Sequence, residues 1–174
     1  MFLLASHAGF AFELESAEPQ FVEGEYRFAM TAVLDAPLEA VERILRDYEN
    51  YPALDSRILE AKVTERPEDG VVLLQTKVRA CFGPVCRGVK RLERVEESPG
   101  TLLAITDPKH SDMKFGETRT ELADAHGRTR VTYQTRLKPG FWVPALLARR
   151  MMLETLEDAT IDLFRSVEAR AQHE

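Results

Sequence analysis

Residues 33–63, VLDAPLEAVERILRDYENYPALDSRILEAKV, change backbone habit three times. Asp35 and Pro37 open a helix, with the proline in the first turn, where its missing N–H costs little. Leu38, Val41, Leu45 and Tyr48 then fall at helical spacing on one face. Pro52 breaks that helix, and ENYPALDS leaves room for a short second one before ILEAKVTE turns extended. On the upstream side, EYRFAMTAVLDAP alternates. Tyr26, Phe28, Met30, Ala32 and Leu34 point one way and Arg27 and Thr31 the other, the pattern of a half-buried strand.

From residue 57 to about residue 137 the chain reads as strands parted by turn signals. The signals are the segment 67–70 (PEDG), Gly83-Pro84, the segment 98–100 (SPG) and His126-Gly127. Short turns between regular strands predict an antiparallel meander. After Gly140 the period becomes helical. Val143, Leu147, Met151, Leu156, Leu163 and Val167 lie in one long stretch ending near Ala171, and Met152, Ala159 and Ile161 widen its apolar face. Such a helix must bury that face, and the sheet is the only large partner. The predicted order is strand, two short helices, six strands, long helix.

The 174 residues suit one domain. A net charge of −6 argues against nucleic acid as a partner, since phosphate binding needs a surplus of Lys and Arg on one face. No apolar run reaches the roughly 20 residues of a membrane helix. MFLLASHAGFAFELESAEPQ starts apolar and turns acidic, and Gly9 and Ala11 stand like the small residues of a signal-peptidase site. Residues 1–20 therefore read as the remnant of a secretory leader or as a flexible or packed terminus, with the domain proper at 21–174.

The element order, the Ala36-Pro37 pair and the run Asp47-Tyr48-Glu49-Asn50-Tyr51-Pro52 resemble the helix-grip fold of the START-like superfamily, also called SRPBCC. That superfamily includes polyketide cyclases, lipid-transfer domains, plant pathogenesis-related allergens and coenzyme Q-binding proteins. The resemblance covers about residues 24 to 171. It implies an α+β fold in which a curved antiparallel sheet of about seven strands wraps a long C-terminal helix, with two short helices after the first strand. It also implies an apolar ligand pocket between sheet and helix. Both binders and enzymes share such a fold.

Strand pairing locates the pocket wall. If Leu122 opposes Val131, then Thr120 opposes Tyr133, Thr118 opposes Thr135 and Gly116 opposes Leu137. The other face then pairs Glu121 with Thr132, Arg119 with Gln134 and Glu117 with Arg136, a charge-complementary solvent face. Thr118, Thr120, Tyr133 and Thr135 thus face the helix, either as core or as pocket lining. From the helix side Met152, Leu156 and Leu163 are the candidate lining. Phe141 and Trp142, followed by Arg149 and Arg150, form an apolar and basic cluster. It reads either as core beside a solvated turn or as a pocket mouth in transient contact with a membrane.

RACFGPVCRG, residues 79–88, holds both cysteines. Four residues with Gly83-Pro84 at their centre make a hairpin turn that brings Cys81 beside Cys86. A disulfide is expected, against two free thiols or a metal site. It would suit an oxidising compartment such as the periplasm, the alternative being the cytoplasm. The same register sets Val78 against Val89 and Val72 against Val95, but also Lys77 against Lys90, and it puts Arg87, Arg91 and Glu93 on the face of Val89. Either a bulge or solvated edge relieves this, or Arg91 and its neighbours form a polar patch in the cavity, able to hold a carboxylate or phenol.

No metalloprotease, hydrolase-elbow, P-loop or dinucleotide motif is present. His7, His110, His126 and His173 do not cluster, and His110 with Asp112 makes at most two metal ligands. No cofactor and no metal are expected, and Glu93 and Tyr133 are the sole acid–base candidates. The expected function is non-catalytic binding or transfer of a hydrophobic small molecule or lipid by a monomer. The alternatives are a cyclase/dehydratase-type enzyme on a polyketide-like substrate and a protein-interaction module.

Overall fold

The alternation at residues 26–34 becomes burial: Tyr26, Phe28, Met30, Ala32 and Leu34 are all inside. They lie on β2 (Glu25–Leu34). The computed structural model describes residues 11–82, 85–142 and 146–173. β1 (Glu13–Val22) precedes β2, and α1 (Leu38–Arg46) follows it. A 3-10 turn (Tyr48–Asn50) and α2 (Tyr51–Leu54) lead into β3 (Ile58–Glu68). The meander continues as β4 (Val71–Phe82), β5 (Val85–Ser98), β6 (Thr101–Thr106), β7 (Met113–Ala125) and β8 (Arg128–Pro139). The last element is α3 (Leu146–Ala171).

One antiparallel sheet of eight strands results, in the order β1-β2-β8-β7-β6-β5-β4-β3. This is the curved sheet and C-terminal helix of the helix-grip fold. The turn signals hold where residues are described: His126 and Gly127 both take positive φ, 60° and 81°. Such a pair matches the twist of a two-residue hairpin. At Gly70 a side chain would come within 2.9 Å of the Glu97 carbonyl oxygen, so glycine is required there for packing as well as for its φ of 73°. The turn residues Gly83 and Pro84 lie outside the described residues, as does Val143 of the expected helix.

Two expectations change. The sheet has eight strands where about seven were expected. The extra one is β1, and the boundary expected between residues 20 and 21 falls inside it. ELESAEPQFV does not alternate, so its strand form comes from pairing with β2, from Glu13 opposite Val33 to Val22 opposite Glu25. Pro19 is tolerated because β1 is an edge strand. Residues 1–10, which carry most of the leader-like sequence, lie outside the described residues. Second, no bulge relieves the cysteine hairpin. β4 and β5 pair without a shift from Val71 opposite Glu96 to Phe82 opposite Val85, and Lys77 does face Lys90. Glu60 on β3 supplies the missing counter-charge, 3.4 Å from the Lys77 ammonium. Cys81 and Cys86 form a disulfide.

The core joins β2, α1, β8 and the C-terminal half of α3. Phe164, Val167 and Ala171 pack with Phe28, Met30, Val41, Leu45 and Val131. Within α3 no described residue before Thr160 is fully buried, so the helix is held by its second half. Buried Glu168 fastens that half. Its carboxylate accepts the backbone N–H of Phe12 at 3.0 Å and that of Asp35 at 2.8 Å. One side chain thus ties α3 to the start of β1 and to the β2–α1 corner.

Replacing Glu168 with alanine orphans both N–H groups. Urea denaturation is expected to show a loss of about 2 kcal/mol, with Glu168→Gln, which keeps one acceptor, losing about half. Equal stability of Glu168→Ala and wild type would contradict the clamp. Intact mass under denaturing conditions should show no alkylation of Cys81 or Cys86 before reduction and two alkylated thiols after it.

Candidate functional site

Alternate residues of successive strands share one sheet face, and here that face is concave toward α3. Leu74, Thr76 and Val78 come from β4, Arg91, Glu93 and Val95 from β5, and Leu102 and Ala104 from β6. β7 and β8 add Thr118, Thr120 and Tyr133. Leu163 of α3 closes one side, and Tyr48, Tyr51 and Ile58 close another. They enclose a cavity of about 180 Å³. The two tyrosines are those of the Asp-Tyr-x-x-Tyr-Pro run, which places them where the chain crosses from α1 to β3.

The β7–β8 register expected from sequence is present in full, from Leu122 opposite Val131 to Gly116 opposite Leu137. It sets a hydroxyl cluster at the wall. Thr118 and Thr135 share a 2.8 Å hydrogen bond, and Thr135 donates to the Glu117 carbonyl at 3.2 Å. Burial pushes the Tyr133 phenol above its ordinary pKa. The charge of Arg91 and hydrogen bonding with Thr135, Thr118 and Thr160 pull it partly back. The ring packs edge-on against Phe164 at 5.7 Å. Tyr51 donates to the Leu45 carbonyl at 2.5 Å, and burial, then the negative charge of Glu93, raise its pKa. Tyr48 donates to Glu97 at 2.5 Å; burial and that bond raise its pKa too.

The polar patch is real and sits in the cavity wall. Arg91 and Glu93, two residues apart on one strand face, form a salt bridge through Arg91 Nη2 and Glu93 Oε1. Glu93 is only 5% exposed, and the Thr106 hydroxyl lies 3.5 Å from its Oε1. Gly116 makes room for that hydroxyl: a Cβ there would lie 2.2 Å from Thr106 Oγ1. The Nε of Arg91 is buried and has no hydrogen-bond partner. Removing one member of such a pair would leave the other charge uncompensated, at a cost of about 3–5 kcal/mol.

Of the residues predicted to line the site, Thr118, Thr120, Tyr133, Arg91 and Leu163 border the cavity. Thr135 stands behind them, buried and bonded to Thr118. Leu156 packs against the main core cluster instead, and Met152 is half-buried on α3 outside the lining. Phe141 borders a separate open groove with Arg87, Asp112 and Lys114, and Trp142 is 82% exposed. Neither is brought to the cavity. Sequence reading missed Tyr48 and Tyr51 as lining, although the motif that holds them had been singled out. His110 bonds Asp107 at 2.6 Å, and among the described residues no three His, Cys, Asp or Glu side chains gather to hold a metal ion.

A family model described as polyketide cyclase / dehydrase and lipid transport matches residues 25–168. The chain belongs to this family. Solved structures with the same fold include the ZhuI aromatase/cyclase of Streptomyces sp. R1128, at 14% identity and TM-score 0.71, covering 86% of this chain and 94% of the other. A START superfamily protein of Mycobacterium smegmatis matches at 18% identity and TM-score 0.65, over 84% and 97% of the two chains. A STAR-related lipid transfer protein of Xanthomonas axonopodis matches at 13% and 0.65, over 90% and 98%. At such identities the likeness shows the fold. No curated protein matches the chain by sequence.

All four tyrosines have pKa values raised above 10.0. In the unfolded chain they ionise near pH 10. Their contribution to stability is therefore intact below about pH 10 and is lost as pH rises above it, because only the unfolded state then releases the protons. Phenolate absorbance should stay low through pH 10 in the native protein and rise together with unfolding. Tyrosine ionisation near pH 10 without unfolding would contradict the buried phenols.

Proposed function

We propose that the protein binds and carries a small, mostly apolar molecule in the cavity between α3 and the sheet, with the one polar group of that molecule held at Arg91. The observation that carries this reading is a largely apolar cavity with the Arg91–Glu93 pair on its wall. A guanidinium carries five N–H donors, and the bond to Glu93 leaves others for an acceptor on the ligand. Glu93 already neutralises the guanidinium. A neutral acceptor such as a carbonyl, hydroxyl or phenol oxygen therefore fits better than a second carboxylate placed beside Glu93.

Size narrows the ligand further. A cavity of roughly 150 Å³ holds benzene, and drug-sized ligands take roughly 300–1,000 Å³. The 180 Å³ here accept one ring or a short chain as the cavity stands. A longer lipid or fused-ring polyketide requires the wall to move, and the first half of α3 has the least buried packing to lose.

A second reading, catalysis of cyclase or dehydratase type, has its own support: the acid Glu93 and the phenol Tyr133 border the same space. Against it, Glu93 is held in the pair with Arg91. Action as an interaction module alone would suit a filled interior. The disulfide supports a working place in an oxidising compartment such as the periplasm, and the net charge of −6 supports a partner other than nucleic acid.

An apolar fluorescent probe should bind the purified protein, and Leu163→Trp should abolish the signal by filling the space. Unchanged probe binding in that variant would place the ligand elsewhere. The paired replacement Arg91→Met with Glu93→Leu avoids a stranded charge. It should keep hydrocarbon-probe binding and weaken a ring ketone or phenol about tenfold, one hydrogen bond's worth. Turnover of an aromatic polyketide analogue that Tyr133→Phe removes without loss of binding would favour the enzyme.

A further inference from the structure

We propose that the end of the molecule carrying the β1–β2 turn, Arg87 of β5 and Arg149 of α3 docks on an anionic phospholipid surface, with Trp142 as the inserted side chain. Trp142 is 82% exposed, twice as exposed as Leu14 at 41%, the next large apolar side chain among the described residues. It follows Phe141 in the segment between β8 and α3.

Cations gather at this end of a chain whose net charge is −6. The Arg87 guanidinium lies 4.1 Å over the Phe141 ring, and Arg149 lies 4.0 Å over the Phe21 ring. Lys114 borders the same open groove as Arg87 and Phe141, and the Lys138 side chain lies against the Gly24 turn. The nearby acids are partly engaged within the protein. Asp112 Oδ2 accepts the Lys90 backbone N–H at 2.8 Å, and Glu25 is bound by Arg27 and Arg136.

This chemistry selects a lipid surface over a protein. Guanidinium groups placed over aromatic rings put charge and apolar carbon at the same level, as the headgroup boundary of a bilayer requires. One exposed tryptophan beside a half-buried phenylalanine offers far less apolar area than the roughly 1,000 Å² of a stable protein interface. The cavity and this surface share no lining residue, so docking can fail or succeed independently of the ligand reading.

Trp142 is the only tryptophan, so its emission reports docking directly. Phosphatidylglycerol vesicles at low salt should shift it to the blue and sediment the full chain. Phosphatidylcholine vesicles should do neither, and added salt should reverse both effects. Arg149→Ala and Arg87→Ala should each weaken vesicle binding about fivefold. Trp142→Ala should reduce sedimentation while leaving probe binding in vesicle-free solution unchanged. Absence of both shift and sedimentation on anionic vesicles overturns the proposal. Equal binding to phosphatidylcholine, or wild-type affinity in both arginine variants, overturns the charge recognition on which it rests.

Discussion

α3 is gripped at one end. Phe164, Val167 and Ala171 sit in the core with β2, α1 and β8, while Glu168 accepts two backbone N–H groups from the start of β1 and the β2–α1 corner. The described residues earlier in the helix reach no comparable burial. Leu163, next to core residue Phe164, also borders the cavity. The second half of α3 therefore has two duties: Phe164, Val167 and Ala171 stabilise the fold, and Leu163 faces the cavity.

The polar pair in that space follows from a register with no slack. Because β4 and β5 pair without a shift from the disulfide to Val71, the alternation that buries Val89 and Val95 also buries Glu93 and turns Arg91 inward. The two side chains satisfy most of each other, with Thr106 admitted beside Glu93 by the missing side chain at Gly116. An apolar pair of the same volume is often no less stable in such a place; what the charged pair adds to the cavity wall is a polar site.

In the proposed reading, cavity and charged end divide the work of recognition. The interior offers a small, largely apolar space with a few polar groups, and the exterior offers exposed Trp142 with Arg87 over Phe141 and Arg149 over Phe21. The family includes both cyclization chemistry and lipid transport in its description, and the scaffold suits either, since a site can be regrafted on the same sheet and helix. In this chain the one acid bordering the cavity is tied to an arginine.

Local periodicity was enough to determine which face β2, β7 and β8 turn inward. It placed Tyr26 to Leu34 in the core, gave the β7–β8 pairing residue by residue, and brought Cys81 beside Cys86 across a four-residue turn. The element order, with the Ala36-Pro37 pair and the run Asp47 to Pro52, pointed to the fold through its resemblance to a known superfamily. Tertiary structure alone decided the rest, because these features depend on where one element stops against another. β1 has no alternation of its own and is a strand through its pairing with β2. Leu156 and Leu163 share a helix stripe, but lie about 10 Å apart along the axis, so the position of the helix along the sheet decides that both pack against the core cluster while only Leu163 also borders the cavity. Phe141 and Trp142 read as core or mouth from composition; the direction in which the chain leaves β8 put one in a groove and the other in solvent.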